Sequence, residues 1–81
     1  MKYDLILKAV NNIFIDVLDD DGIVLKDSTS ADDIEEWDSL NHIQLVVAVE
    51  QHFKIKFTSS EIRKWKNVGE MCTAISKKIS E

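Results

Sequence analysis

Apolar residues recur at helical intervals from the start of the chain. Ile6, Ala9, Val10, Ile13 and Val17 fall at i, i+3, i+4, i+7 and i+11, with Leu5, Phe14 and Leu18 beside them. This pattern predicts an amphipathic helix over about residues 3–18. The period then stops. Residues 19–38, DDDGIVLKDSTSADDIEEWD, are polar, and a loop of that length is uncommon in a compact domain unless it has a function. Ile23, Val24 and Leu25 are expected to tack it onto the core. The period resumes at Ser39. Leu40, Ile43, Val46, Val47 and Phe53 form one predicted inward stripe, widened by Leu45, Ala48 and Val49. So wide an apolar face predicts a central helix over about 39–53, largely surrounded by other helices.

KIKF, residues 54–57, reads as a short extended connection. TSSE at 58–61 has the capping-box form and predicts a brief helix over about 59–65, with Ile62 and Trp65 inward. NVGE at 67–70 starts the last helix, with Asn67 as N-cap and Glu70 at N3. Val68, Met71, Cys72, Ile75 and Ile79 continue it to about residue 79, and Lys77 and Lys78 sit near its negative end. The predicted fold class is all-α: a small bundle of three main helices and one short one, with a long loop between the first two.

Composition narrows the function. At 81 residues, the chain is expected to form one domain, 1–81. Hydrophobic residues make up 44%, with two Gly and no Pro, which suits a compact helical fold. A domain this small buries only roughly 60% of its unfolded surface. It is better suited to presenting a surface or carrying a group than to enclosing a substrate. Cys72 is the only cysteine, which excludes an internal disulfide and a cysteine-based metal site and fits a reducing compartment. The N-terminus resembles neither a signal peptide nor a membrane span, so a soluble, cytoplasmic protein without membrane association is expected.

Charge is uneven. Residues 1–53 hold 12 acids against 3 Lys, a balance of −9, and residues 54–81 hold 7 Lys/Arg against 3 Glu, a balance of +4. The acidic front would repel phosphates, which argues against nucleic acid despite the basic residues around Trp65. A basic protein partner suits it better.

The candidate chemistry centres on Asp38 and Ser39. As N-cap and N1, they read first as an ordinary helix start. A hydroxyl at N1 also faces solvent beside free N–H groups and the positive end of the helix dipole, a favourable place for an attached phosphodiester. Other readings fare worse. Asp19, Asp21 and Gly22 suggest a calcium loop, but with Gly22 at its sixth position the first and last ligands would be Val17 and Ser28. His42 and His52 lie nearly three turns apart and cannot share a metal. His42 is one turn from Ser39, but a serine hydrolase would also need an orienting acid and an oxyanion hole. Cys72 lies on an inward stripe and reads as a buried thiol. Trp37 reads as a core plug under the loop, and Trp65 as core or as a lid over the short helix.

WDSL at 37–40, an apolar helix behind it, FKIKF at 53–57, a capped short turn and NVGEMCTAI at 67–75 together resemble the acyl carrier proteins. The resemblance covers nearly the whole chain. It implies a stand-alone, non-enzymatic carrier, expected to be monomeric. A phosphopantetheinyl transferase would move 4′-phosphopantetheine from coenzyme A onto Ser39, using magnesium. Asp38 and Leu40 would belong to the surface that the transferase recognises. The arm's thiol would carry an acyl or aminoacyl thioester between loading and accepting enzymes, as in fatty acid or polyketide synthesis. The second helix would be the main docking element, and the partner surface would comprise Glu35, Glu36, Trp37, Asn41, His42, Gln44 and Glu50.

Departures from the family pattern refine this. Carriers of fatty-acid synthesis typically have acids two and five residues after the modified serine. This chain has Asn41 and Gln44 there, with Glu50 the only acid further along the helix. Docking would then lean on Asp32, Asp33, Glu35, Glu36 and Asp38. WDS is also similar to D-alanyl carriers and to carriers of specialised pathways, so a dedicated pathway is expected. The alternative is an unmodified helical module that binds a partner through its acidic face.

Overall fold

The computed structural model describes residues 2–80. Four helices follow in order: α1, Tyr3–Leu18; α2, Ser39–Phe53; α3, Ser59–Lys64; and α4, Val68–Ser80. A single 3₁₀ turn, Ala31–Asp33, interrupts the long loop. Among the described residues there is no strand, and the helical boundaries fall within about a residue of the periodicity.

Local chemistry explains the boundaries. Asp38 caps α2, its Oδ1 accepting from the Asn41 backbone N–H at 2.8 Å. The Thr58 hydroxyl and the Glu61 carboxylate satisfy each other's backbone N–H groups and open α3. Both α1 and α2 end on left-handed residues, Asp19 and Lys54, each returning its N–H to the last turn. The start of α4 is handled differently. Asn67 Oδ1 accepts from the Glu70 N–H at 2.9 Å, but the Glu70 carboxylate turns to the Lys66 N–H. The Val68 and Gly69 N–H groups donate instead to the Thr29 and Asp27 carbonyls of the long loop, at 2.8 and 2.9 Å. A Cβ on Gly69 would lie 2.9 Å from the Asp27 carbonyl oxygen, so only glycine allows that approach.

The loop is therefore bound along its length. Asn11 of α1 accepts from the Leu25 N–H at 2.7 Å and donates to the Ile23 carbonyl at 3.3 Å. Ile23 and Leu25 are buried, while Val24 points out, so only two of the three apolar residues expected to anchor the loop do so. Tyr3 OH donates to Asp27 Oδ1 at 2.6 Å.

The core unites Ile6, Val10, Ile13, Phe14 and Leu18 of α1, Leu45 and Val49 of α2, and Val68, Met71, Cys72 and Ile75 of α4, closed by Ile23, Leu25 and Trp37. The element that packs against both other long helices is α1, not α2 as its wide apolar face suggested. The phase of α2 also differs from expectation. Its buried residues are Leu45, Val46 and Val49. Leu40, Ile43 and Val47, expected inside, are 67%, 63% and 44% exposed. The helix is apolar on two faces. The inner one, completed by half-buried His42 and Phe53, follows i, i+3, i+4, i+7 and i+11 from residue 42.

This phase is testable by charge insertion. Val49→Asp should place an unpaired charge in the core and lower stability by several kcal/mol, on the order of the cost of burying a carboxylate without a partner. Ile43→Asp should change stability by less than about 0.5 kcal/mol, as surface substitutions do. Urea titration of the two variants checks the assignment; unfolding by Ile43→Asp alone would reverse it.

Candidate functional site

Ser39 is the first residue of α2 and is exposed, flanked by exposed Asp38 and Leu40. Among the described residues none hydrogen-bonds its hydroxyl. Asp38, not Ser39, does the capping: its carboxylate takes the Asn41 N–H and its carbonyl the His42 N–H at 2.8 Å. Ser39 is thus left free beside the positive end of a 15-residue helix.

The segment that delivers Ser39 is held from behind. Trp37 is 8% exposed, its ring edge-on to Phe14 of α1 at 4.9 Å between centroids. Its indole N–H donates to His42 Nδ1 at 3.0 Å, and the two rings stack at 6.0 Å. His42 meets Trp65 at 6.4 Å, and Trp65 meets Phe57 at 4.8 Å. The Asn41 side chain donates to the Glu36 carbonyl at 2.7 Å. Trp37 is the plug that the sequence suggested, and Trp65 is half-buried where α3 ends.

These contacts redistribute the residues expected on the partner surface. Trp37 is buried, and half-buried Asn41 and His42 turn towards the loop. Glu50 is half-buried, with its carboxylate accepting from the Phe57 N–H at 2.8 Å. Glu36 lies next to Asp20, whose carboxyl pushes it above the ordinary carboxylate range. Glu35 and Gln44 are exposed, as expected of docking residues. The exposed trio Leu40, Ile43 and Val47 lies at i, i+3 and i+7; of the three, only Leu40 was expected on a recognition surface, and Ile43 and Val47 were missed. The signal lay in the second helical period of α2, masked by the first.

His42 cannot serve as a base for Ser39 in this arrangement. Its Nδ1 lone pair is occupied by the indole N–H, so the neutral ring carries its proton on Nε2. Cys72 is fully buried, and burial pushes its thiol up to about 11, which keeps it protonated at neutral pH. Among the described residues no cluster of His, Cys, Asp or Glu is arranged to hold a metal. A groove of about 940 Å³ between α3, α4 and the Asp27 turn includes no α2 residue in its lining. No helix among the described residues is long and apolar enough to cross a membrane.

An exposed serine at a helix start, delivered by a pinned acidic loop in a four-helix bundle, is the arrangement that the resemblance to acyl carrier proteins implies. A family model described as "Phosphopantetheine attachment site" matches residues 8–75. The chain is similar to a solved structure, the solution NMR structure of a holo acyl carrier protein from Geobacter metallireducens. The two share 50% identity over 91% of this chain and 85% of that one, with a TM-score of 0.87. No curated protein matches significantly. The chain belongs to the phosphopantetheine-attachment family. It is a carrier of the acyl carrier protein kind and not an enzyme, and its cofactor is covalently attached 4′-phosphopantetheine.

Burial holds the His42 pKa below the ordinary histidine value. Folding therefore favours the neutral ring, and the unfolded chain binds the proton more readily. The resulting stability is present above the unfolded value of 6.5 and is lost as pH falls through it towards the folded value. Between about pH 7.5 and about pH 5, the wild type should lose more stability than His42→Asn, which cannot titrate. Parallel urea melts of the two proteins measure the difference.

Proposed function

We propose that Ser39 is the attachment residue and that this carrier shuttles a thioester-bound acyl or aminoacyl group between enzymes of a dedicated biosynthetic pathway in the cytoplasm. The observation that carries the reading is the free, exposed Ser39 hydroxyl at the start of α2 in a chain of this family. In the loading step, Ser39 Oγ attacks the coenzyme A phosphorus that bears pantetheine. The new Oγ–P bond forms as the pyrophosphate P–O bond breaks. Adenosine 3′,5′-bisphosphate leaves, and the serine proton passes to a base on the transferase. The negative phosphodiester gains from the N-terminal dipole of α2. Cargo is then held on the thiol of the arm, and Cys72, buried and protonated, takes no part.

Partner enzymes reach the arm over the start of α2. Asp38 and Leu40 flank the serine on the transferase side. The wider docking surface combines Glu35 and Asp38 of the loop with Leu40, Ile43, Gln44 and Val47 of the helix. The exposed part of α2 offers apolar and neutral contacts, so the acids that attract a basic partner are those of the preceding loop. The carrier works as a monomer.

Intact-protein mass spectrometry tests the assignment. Incubation with coenzyme A, magnesium and a phosphopantetheinyl transferase should add one phosphopantetheine to the wild type and none to a folded Ser39→Ala variant. Addition to Ser39→Ala would move the site elsewhere. No addition to the wild type, where a control carrier is modified, would favour an unmodified module that acts by binding alone.

A further inference from the structure

The proposal rests on the Ser39 reading above and concerns how that serine is presented. Three hydrogen bonds close a ring behind it. The Asp38 carboxylate accepts from the Asn41 backbone, the Asn41 amide returns to the Glu36 carbonyl, and the Trp37 indole donates to His42 Nδ1. Each bond runs from the 36–38 segment to the first turn of α2, so together they span both sides of Ser39. The backbone adds Trp37 N–H to Ile34 at 3.1 Å and Asp38 N–H to Glu36 at 3.0 Å. None of these bonds uses the Ser39 hydroxyl.

We propose that Trp37, Asn41 and His42 are positioning residues that set the direction in which Ser39 is offered to the transferase, with the Trp37–His42 hydrogen bond as a proton-sensitive latch. The bond requires a lone pair on Nδ1. A doubly protonated imidazole has none and would set one N–H against another. Protonation therefore opens the latch while the Trp37–Phe14 packing, which involves no titratable group, stays in place.

The surroundings of His42 support the latch. Its ring neighbours are Trp37 of the loop and Trp65 at the end of α3, neither of which titrates in this range. The ionisable groups within two residues of these rings are Glu35, Glu36 and Asp38 on the loop side, and Arg63, Lys64 and Lys66 beside Trp65, with Glu61 in the first turn of α3. Asp38 is committed to its cap and Glu36 lies against Asp20. Burial is the cause of the depressed His42 value. The other histidine, His52, is exposed and packs on Phe53, so it remains a constant in every comparison.

The test follows phosphopantetheine transfer with coenzyme A, magnesium and one transferase from about pH 8 to about pH 5.5. Wild type is compared with His42→Asn and His42→Leu. Asparagine offers an uncharged acceptor oxygen in place of Nδ1 and does not titrate. Leucine removes the acceptor. Taking the ratio of wild type to His42→Asn cancels the pH dependence of the transferase itself.

That ratio should be near one at the alkaline end. It should fall about three- to tenfold at the acid end, the kinetic equivalent of one neutral hydrogen bond. His42→Leu should be slower by a similar factor at all pH values, in kcat more than in KM, because the exposed docking residues are untouched. The Trp37 indole N–H resonance should shift with pH in the wild type and stay fixed in His42→Asn. A flat ratio while that resonance titrates would overturn the proposal, because the contact would then be structural only. If His42→Leu does not fold, the ratio and the resonance still decide. A wild type that takes no phosphopantetheine removes the Ser39 reading, and this proposal with it.

Discussion

One buried indole holds the functional end of this bundle together. Trp37 fills the space against Phe14 of α1, and its single polar atom is satisfied by His42 of α2. A buried indole N–H without an acceptor carries a desolvation cost, so the ring and the histidine come as a pair. Their pairing fixes where the long loop ends and which side of α2 faces inward. The residues that follow Trp37, Asp38 and Ser39, are then exposed at the helix start because the chain turns outward there.

A carrier needs this division between a fixed base and a free attachment point. On the proposed reading, the hydroxyl of Ser39 enters a transferase's active site, so it cannot be tied into its own fold. The capping work falls to Asp38, and the packing to Trp37. The loop, acidic and long, is kept from wandering by Asn11 along its middle and by the N-terminus of α4, which takes the Asp27 and Thr29 carbonyls. The other end of α2 is secured by the Glu50 carboxylate on the Phe57 N–H and by the aromatic pair Phe57 and Trp65. The second apolar stripe of α2 lies outside the core and is left exposed.

Much of this was legible in the sequence, and the remainder was hidden for physical reasons. Helical periods and local caps placed all four helices, because Asp38, Thr58 and Asn67 act on residues three positions away. The inward thiol of Cys72 and the plug role of Trp37 followed from pattern and size. The phase of α2 did not. Leu40, Ile43 and Val47 carry a helical period as good as that of Leu45, Val46 and Val49, and the true inner face begins with a histidine, which counts as polar until its partner is known. Asn41 and Glu50 read as surface residues because their acceptor and donor, the Glu36 carbonyl and the Phe57 N–H, are backbone atoms that no pattern of side chains reports. The loop was equally opaque: its bonds to Asn11, Val68 and Gly69 join distant parts of the chain.

Amide hydrogen exchange on Trp37→Phe tests the organising role of the indole most directly. Phenylalanine keeps a six-membered aromatic ring against Phe14 and removes the donor to His42 together with the five-membered ring that carries it. Faster exchange is expected at the Asn41 and His42 amides and the 36–38 segment alone, with the amides around Met71 and Ile75 of α4 protected as before. Unchanged exchange at Asn41 and His42 would contradict that role, because the start of α2 would then hold its place without the tryptophan–histidine bond.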